Sequence, residues 1–123
     1  ACIDACPTQA IVEPYVVDGS KCISYITIEL DPDLDIPTEM QEDMDNWIFG
    51  CDICQDVCPW NRFAKQSETQ AFIPLADLKG GGVPDFSRMD SESFKEMFGA
   101  TPLDRPGLKG LKRNQAVKRQ STK

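Results

Sequence analysis

The 123-residue chain has no histidine, no apolar run of eighteen residues, and only one basic side chain, Lys21, among its first sixty residues. Without histidine, this segment has no imidazole acid–base catalysis and none of the mixed cysteine–histidine sets common at zinc. Without a long apolar run, no helix crosses a membrane. A signal peptide is also missing, and the chain opens at Ala1 rather than Met, which implies processing or a start inside a longer sequence. The shortage of bases is local. Residues 1–60 hold thirteen acids against one base, a net of −12, whereas residues 61–123 hold twelve bases and seven acids, a net of +5. From Arg105 onward there are seven bases and no acid. An acidic body with a basic tail suits a phosphate-backbone partner; the alternative is a solvated, partly disordered C-terminus.

What the chain does have is six cysteines, all in the first sixty residues, at positions 2, 6, 22, 51, 54 and 58. The length fits one domain, and 41% hydrophobic content is adequate for a small core that a bound metal would help to stabilise. Three disulfides would use all six cysteines, but two tight cysteine runs in a chain without a signal peptide fit that pattern poorly.

Local patterns predict the scaffold. Ala10 to Gly19 reads as two short β segments broken by Pro14 and closed by an Asp-Gly turn. Ile23 to Leu30 alternates in a way compatible with a strand or a short helix. The acidic stretch from Asp31 to Pro37 is a proline-broken loop, with a helix expected from Pro37 to about Met44. Trp47, Ile48 and Phe49 form an apolar group before Cys51, serving as core, as a water shield for a metal centre, or as both. Residues 65–87, with Gly80-Gly81-Gly82, read as an extended linker. A helix follows from Asp90 as N-cap to Gly99, with Phe94, Met97 and Phe98 on one face. Another short helix is expected from Leu108 to Arg119.

The most specific signal is Cys51-x2-Cys54-x3-Cys58-Pro59 together with Cys2-x3-Cys6-Pro7. Bacterial two-cluster ferredoxins use C-x2-C-x2-C-x3-C-P, whose fourth cysteine ligates the other cluster. A C-x2-C turn brings two thiolates to one cubane and turns backbone N–H groups toward sulfur; the x3 step carries the chain to the neighbouring centre. By that rule Cys51, Cys54, Cys6 and Cys22 hold one 4Fe–4S cluster, and Cys58 meets Cys2 at the other. Two cubanes need eight thiolates, so the missing pair is expected upstream of Ala1. A four-cysteine zinc site is the main alternative, although zinc ribbons want two C-x2-C pairs and one is present.

The strings Ala5-Cys6-Pro7-Thr8-Gln9-Ala10-Ile11, Cys22-Ile23-Ser24-Tyr25-Ile26-Thr27-Ile28-Glu29-Leu30 and Asn46-Trp47-Ile48-Phe49-Gly50-Cys51 through Trp60-Asn61 closely resemble the epoxyqueuosine reductase family. The likeness continues loosely through Phe94 and Phe98 to Leu111-Lys112-Arg113-Asn114. It implies an α+β fold: a ferredoxin-like two-cluster module over residues 1–63, a linker over 64–89, and a short helical, partly irregular segment over 90–123. The resemblance also implies a cobalamin-dependent enzyme that removes the epoxide oxygen of epoxyqueuosine at the tRNA wobble position, with two 4Fe–4S clusters relaying electrons to cobalt. The family's catalytic, cobalamin-binding N-terminal domain has no counterpart in these residues, so the chain is expected to be inactive alone.

On the same resemblance, Ser24, Tyr25, Thr27 and Glu29 are candidates to face cobalamin or substrate, or else pack locally. Arg62, Arg105, Lys109, Lys112 and Arg113 are candidate contacts to tRNA phosphates, with a solvated surface as their alternative role. The implied setting is a cytoplasmic monomer with tRNA and an external electron donor as partners and no membrane. Competing readings are the ferredoxin-like module of another cobalamin enzyme, such as a reductive dehalogenase, and a zinc-stabilised RNA-binding module.

Overall fold

The computed structural model describes residues 1–44, 46–72 and 82–121, with side chains described as far as Val117. Short helices dominate: α1 (Cys2–Ala5), α2 (Ile23–Ile28), α3 (Thr38–Gln41), α4 (Ile53–Asp56), α5 (Ser91–Phe98) and α6 (Gly107–Ser121). The sheet has two antiparallel strands, β1 (Ile11–Glu13) and β2 (Val16–Val17), with Ile11 opposite Val17 and Glu13 opposite Val16. The helical share places the chain near the helical end of the α+β class, with the small hairpin as its β component.

Several boundaries differ from those expected. The hairpin turns at Pro14-Tyr15, where Tyr15 takes φ of 69° and is 105% exposed. Asp18-Gly19 does not close the hairpin; the Asp18 carboxylate instead caps the helical turn Gly19–Lys21, accepting from the Ser20 N–H at 3.0 Å. Of the two options for Ile23–Leu30, the chain adopts the helix α2. Burial explains the choice, because Ile23, Ile26 and Thr27 fall on one inward face at helical spacing. The helix α3 ends at Gln41, short of Met44, although Met44 still donates its N–H to the Met40 carbonyl.

The C-terminal helices follow the sequence more closely. Asp90 caps α5 by accepting from the Ser93 N–H at 2.9 Å. Phe94 and Phe98 are buried, but Met97 is 39% exposed: the apolar face of α5 is narrower than the sequence implied. At the far end of the expected linker, Phe86 is buried against Phe94 and Phe98, so that end of the stretch carries core. Gly80 and Gly81 of the glycine run, and the last two residues of the chain, lie outside the described residues.

Two apolar clusters form the interior. One joins Ile23 and Ile26 of α2 to Ile36, Met40, Met44 and Val117; the other joins Ile48 and Phe86 to Phe94, Phe98 and Leu111. One face of α6 serves both, through Leu111 and Val117. Between them, at the same i, i+3, i+6 spacing, sits Asn114, which is buried. Trimming the first cluster should register modestly. Ile26→Val should lower unfolding free energy by about 1 kcal/mol, read as a shift in urea midpoint at constant slope.

Candidate metal centre

The two Cys-x3-Cys-Pro runs adopt matching local structure. Each passes through one helical turn, α1 or α4, and ends in an extended cysteine: Cys6 at φ −67°, ψ 113° and Cys58 at φ −67°, ψ 119°. Proline is the physical cause, because its ring disfavours the helical region for the residue before it. The repeated Pro7 and Pro59 therefore hold Cys6, directly after α1, and Cys58, two residues past the end of α4, in the extended region. α1 and α4 pack against one another, so the two runs lie side by side.

Four cysteines share one cavity. Cys6, Cys22, Cys51 and Cys54 line a space of about 160 Å³, whose walls are otherwise mostly apolar and include Ala10, Ile11, Val17, Ile23 and Ile53. They arrive from four segments: the end of α1, the N-terminus of α2, the loop before α4, and α4 itself. All six cysteines are half-buried free thiols. Among the described residues no three His, Cys, Asp or Glu side chains converge tightly enough for a single ion, so these four thiols surround a volume rather than a point. Cys2 and Cys58 do not line that cavity.

The electrostatics suit anionic sulfur at Cys6. Burial alone would raise the Cys6 thiol, but hydrogen bonds from the Thr8 hydroxyl and from the backbone N–H groups of Ala10, Ile11 and Thr8 outweigh it, and the group is held below its ordinary value. The Ala10 N–H lies 3.3 Å from Cys6 Sγ, and the Thr8 hydroxyl lies 3.6 Å from it. Cys51 moves the other way. Burial pushes it up, the Ile53 N–H partly offsets this, and the like charges of Cys54, Cys22 and Cys6 push it further. Four thiolates crowded into an apolar space need a cation, and soft sulfur donors with N–H groups aimed at them fit an iron–sulfur cubane.

The other candidate residues separate into several kinds. Thr27 is fully buried: its hydroxyl donates to the Ile23 carbonyl at 2.8 Å and accepts from the Gly50 N–H at 3.0 Å. It packs locally rather than facing a cofactor. Ser24 is half-buried and Tyr25 exposed, while Glu29 is held by Arg105, whose Nη2 donates to it at 2.7 Å. That guanidinium keeps the Glu29 carboxyl below the usual range. Lys109 pairs with Asp33, and Arg62 stacks over the exposed Phe63 ring at 4.7 Å.

Arg113, a half-buried candidate for a phosphate contact, makes several bonds within the chain. Its guanidinium donates to the carbonyls of Ile26, Leu30, Asp31 and Leu34 at 2.8–3.3 Å and to Asn114 Oδ1. Burial pulls its pKa down, and Asp31 and Asp35 oppose that. Sequence reasoning missed the structural weight of Asn114, which is fully buried. Its Nδ2 donates at 2.8 Å both to the Thr27 carbonyl and to the Ile48 carbonyl. The available signal was a lone amide on the apolar face of α6, between Leu111 and Val117.

Residues 1–61 match the 4Fe-4S double cluster binding domain family. The epoxyqueuosine reductase of Cellulophaga algicola is 55% identical over 114 residues, which cover 93% of this chain and 37% of that enzyme. The chain is a homologue of epoxyqueuosine reductase. A second epoxyqueuosine reductase, from Leadbetterella byssophila, is 56% identical over 116 residues, with 94% and 37% coverage. The solved epoxyqueuosine reductase from Bacillus subtilis superposes with a TM-score of 0.82 at 30% identity, covering 98% of this chain and 32% of that one. An epoxyqueuosine reductase solved with an epoxyqueuosine-modified tRNA stem loop superposes equally well, at 0.82 and 30%, with 98% and 31% coverage. The chain thus spans about a third of the length of its epoxyqueuosine reductase relatives. Among its described residues no helix is long and apolar enough to cross a membrane.

Proposed function

We propose that this chain is the electron-relay segment of an epoxyqueuosine reductase, with Cys6, Cys22, Cys51 and Cys54 holding one 4Fe–4S cluster and Cys2 and Cys58 contributing to a second. The observation that carries the reading is the convergence of four thiols, drawn from distant segments, on one apolar cavity. A bound iron–sulfur cluster supplies one-electron transfer there, at a potential set by hydrogen bonds to sulfur and by solvent exposure. The chain's own part is to hold four anionic sulfurs together. The N–H groups of Thr8, Ala10 and Ile11 stabilise charge on Cys6, and the aliphatic walls exclude water.

In the whole enzyme this segment would feed the reduction of epoxyqueuosine to queuosine in tRNA, in which the epoxide oxygen leaves as water after uptake of two electrons and two protons. Cobalamin is the expected electron acceptor, with Ser24, Tyr25 and Glu29 as candidate contacts. Arg62, Lys112 and, by exchanging their carboxylate partners for phosphate, Arg105 and Lys109 are candidate tRNA contacts. An external donor supplies the electrons, and the setting is a cytoplasmic monomer.

A segment exchange tests this reading. The matching third of the Cellulophaga algicola enzyme is replaced by this chain, and conversion of epoxyqueuosine to queuosine in tRNA is followed under reducing conditions. The hybrid should retain activity within about tenfold of the parent, a loss of about 1.4 kcal/mol in transition-state stabilisation. A hybrid that folds, binds about eight irons and converts no tRNA sinks the proposal.

A further inference from the structure

Two of the four cavity cysteines lie on segments held together by side chains that never reach the cavity. Cys22 stands at the N-terminus of α2, where its carbonyl accepts from the Ile26 N–H at 3.0 Å. Cys51 follows Gly50, which takes φ of 71°, a left-handed conformation that L side chains rarely adopt. That turn aims the Gly50 N–H at the hydroxyl of Thr27, on α2 five residues after Cys22. A second bracket lies behind the first. Asn114 of α6 donates to the carbonyls of Thr27 and Ile48, tying α2 and the loop that leads to Cys51 to one fully buried amide. Arg113 fixes the orientation of that amide by donating twice to Oδ1 at 3.1 Å.

We propose that Thr27 and Asn114 are positioning residues for the metal centre, which set the separation of Cys22 and Cys51 from outside the cavity. This inference rests on the iron–sulfur reading of the four cysteines. Iron leaves a cubane when one thiolate swings away, and Cys51, on a loop behind a left-handed glycine, is the ligand that the Thr27 hydroxyl restrains. Neither residue touches the cavity, so neither alters its walls or its donors.

The test uses the full chain after anaerobic reconstitution, with iron release to a colourimetric chelator as the readout. Thr27→Val keeps the side-chain volume and removes the acceptor for the Gly50 N–H. Ile26→Val, its neighbour in the same core, serves as a control for stability loss that leaves the bracket intact. Thr27→Val should release iron about fivefold faster than Ile26→Val, and Thr27→Ser should restore the wild-type rate. The Gly50 amide gives a reading without any substitution: in the loaded wild type it should exchange with solvent as slowly as the amides of α6. Equal release from the two valine variants, no rescue by serine, or loop-like exchange at Gly50 overturns the positioning role while the iron–sulfur reading stands. A wild-type chain that takes up no iron overturns both.

Discussion

Anaerobic reconstitution of the chain should give about four irons per polypeptide, and the Cys22→Ala/Cys51→Ala double variant should give close to none. The Cys2→Ala/Cys58→Ala pair should keep about four irons and an unchanged broad visible absorption. The contrast follows from the cavity. Cys22 and Cys51 belong to the four thiols that surround it, whereas Cys2 and Cys58 lie outside it. Removing two of four sulfurs leaves the remaining pair unable to hold a cubane, and the aliphatic walls offer no replacement donor. Removing the outer pair touches no donor of the complete set. Equal iron loss from both double variants would refute this division of ligands. A colourless protein with one tightly held zinc would refute the iron–sulfur reading altogether, because four thiolates also satisfy zinc.

The second large effect concerns stability. Phe98→Ala should destabilise the fold by about 4 kcal/mol and lower the melting temperature by about 15 °C. Phe98 is fully buried, and its ring centroid lies 5.6 Å from that of Phe94 and 6.1 Å from that of Phe86. Truncation removes one member of an aromatic trio with tilted and edge-on contacts and leaves a hole in the cluster that also holds Ile48 and Leu111. The surrounding side chains are large and anchored on separate elements, which limits collapse into the space. Urea denaturation of the apo chain gives the comparison; a loss under about 1 kcal/mol would mean that this cluster repacks freely.

The cysteine half of the molecule was legible because its information is local. A Cys-x3-Cys-Pro run fixes a helical turn and an extended cysteine through a few bonds, and the structure reproduces this twice. The grouping of Cys6, Cys22, Cys51 and Cys54, inferred from spacing, is the group that shares the cavity. The hairpin turn was misplaced for the opposite reason. Asp-Gly is a good turn signal, yet strand pairing put the reversal at Pro14-Tyr15, and Asp18 was then free to cap the next helical turn. The basic residues were least legible. In sequence Arg113 looks like one of seven bases in a tail, and its five donors acquire their partners only when α6 packs against α2 and the loop after it. Asn114 is similar: a polar side chain on an apolar face signals a tertiary partner without naming it.

The bracket built by Arg113 and Asn114 has a consequence for the order of events during synthesis. Its bonds join residues 66 to 87 positions apart, so this second tie between the segments bearing Cys22 and Cys51 forms only after α6 has left the ribosome, whereas the Thr27–Gly50 bond spans 23 positions. All six cysteines are by then long exposed to the solvent. Contacts of such high sequence separation form late, because loop-closure entropy opposes them until the last partner arrives. Iron loading should therefore be completed once α6 has emerged rather than before it. A nascent chain stalled before residue 107 should bind iron weakly, whatever thiols it already displays.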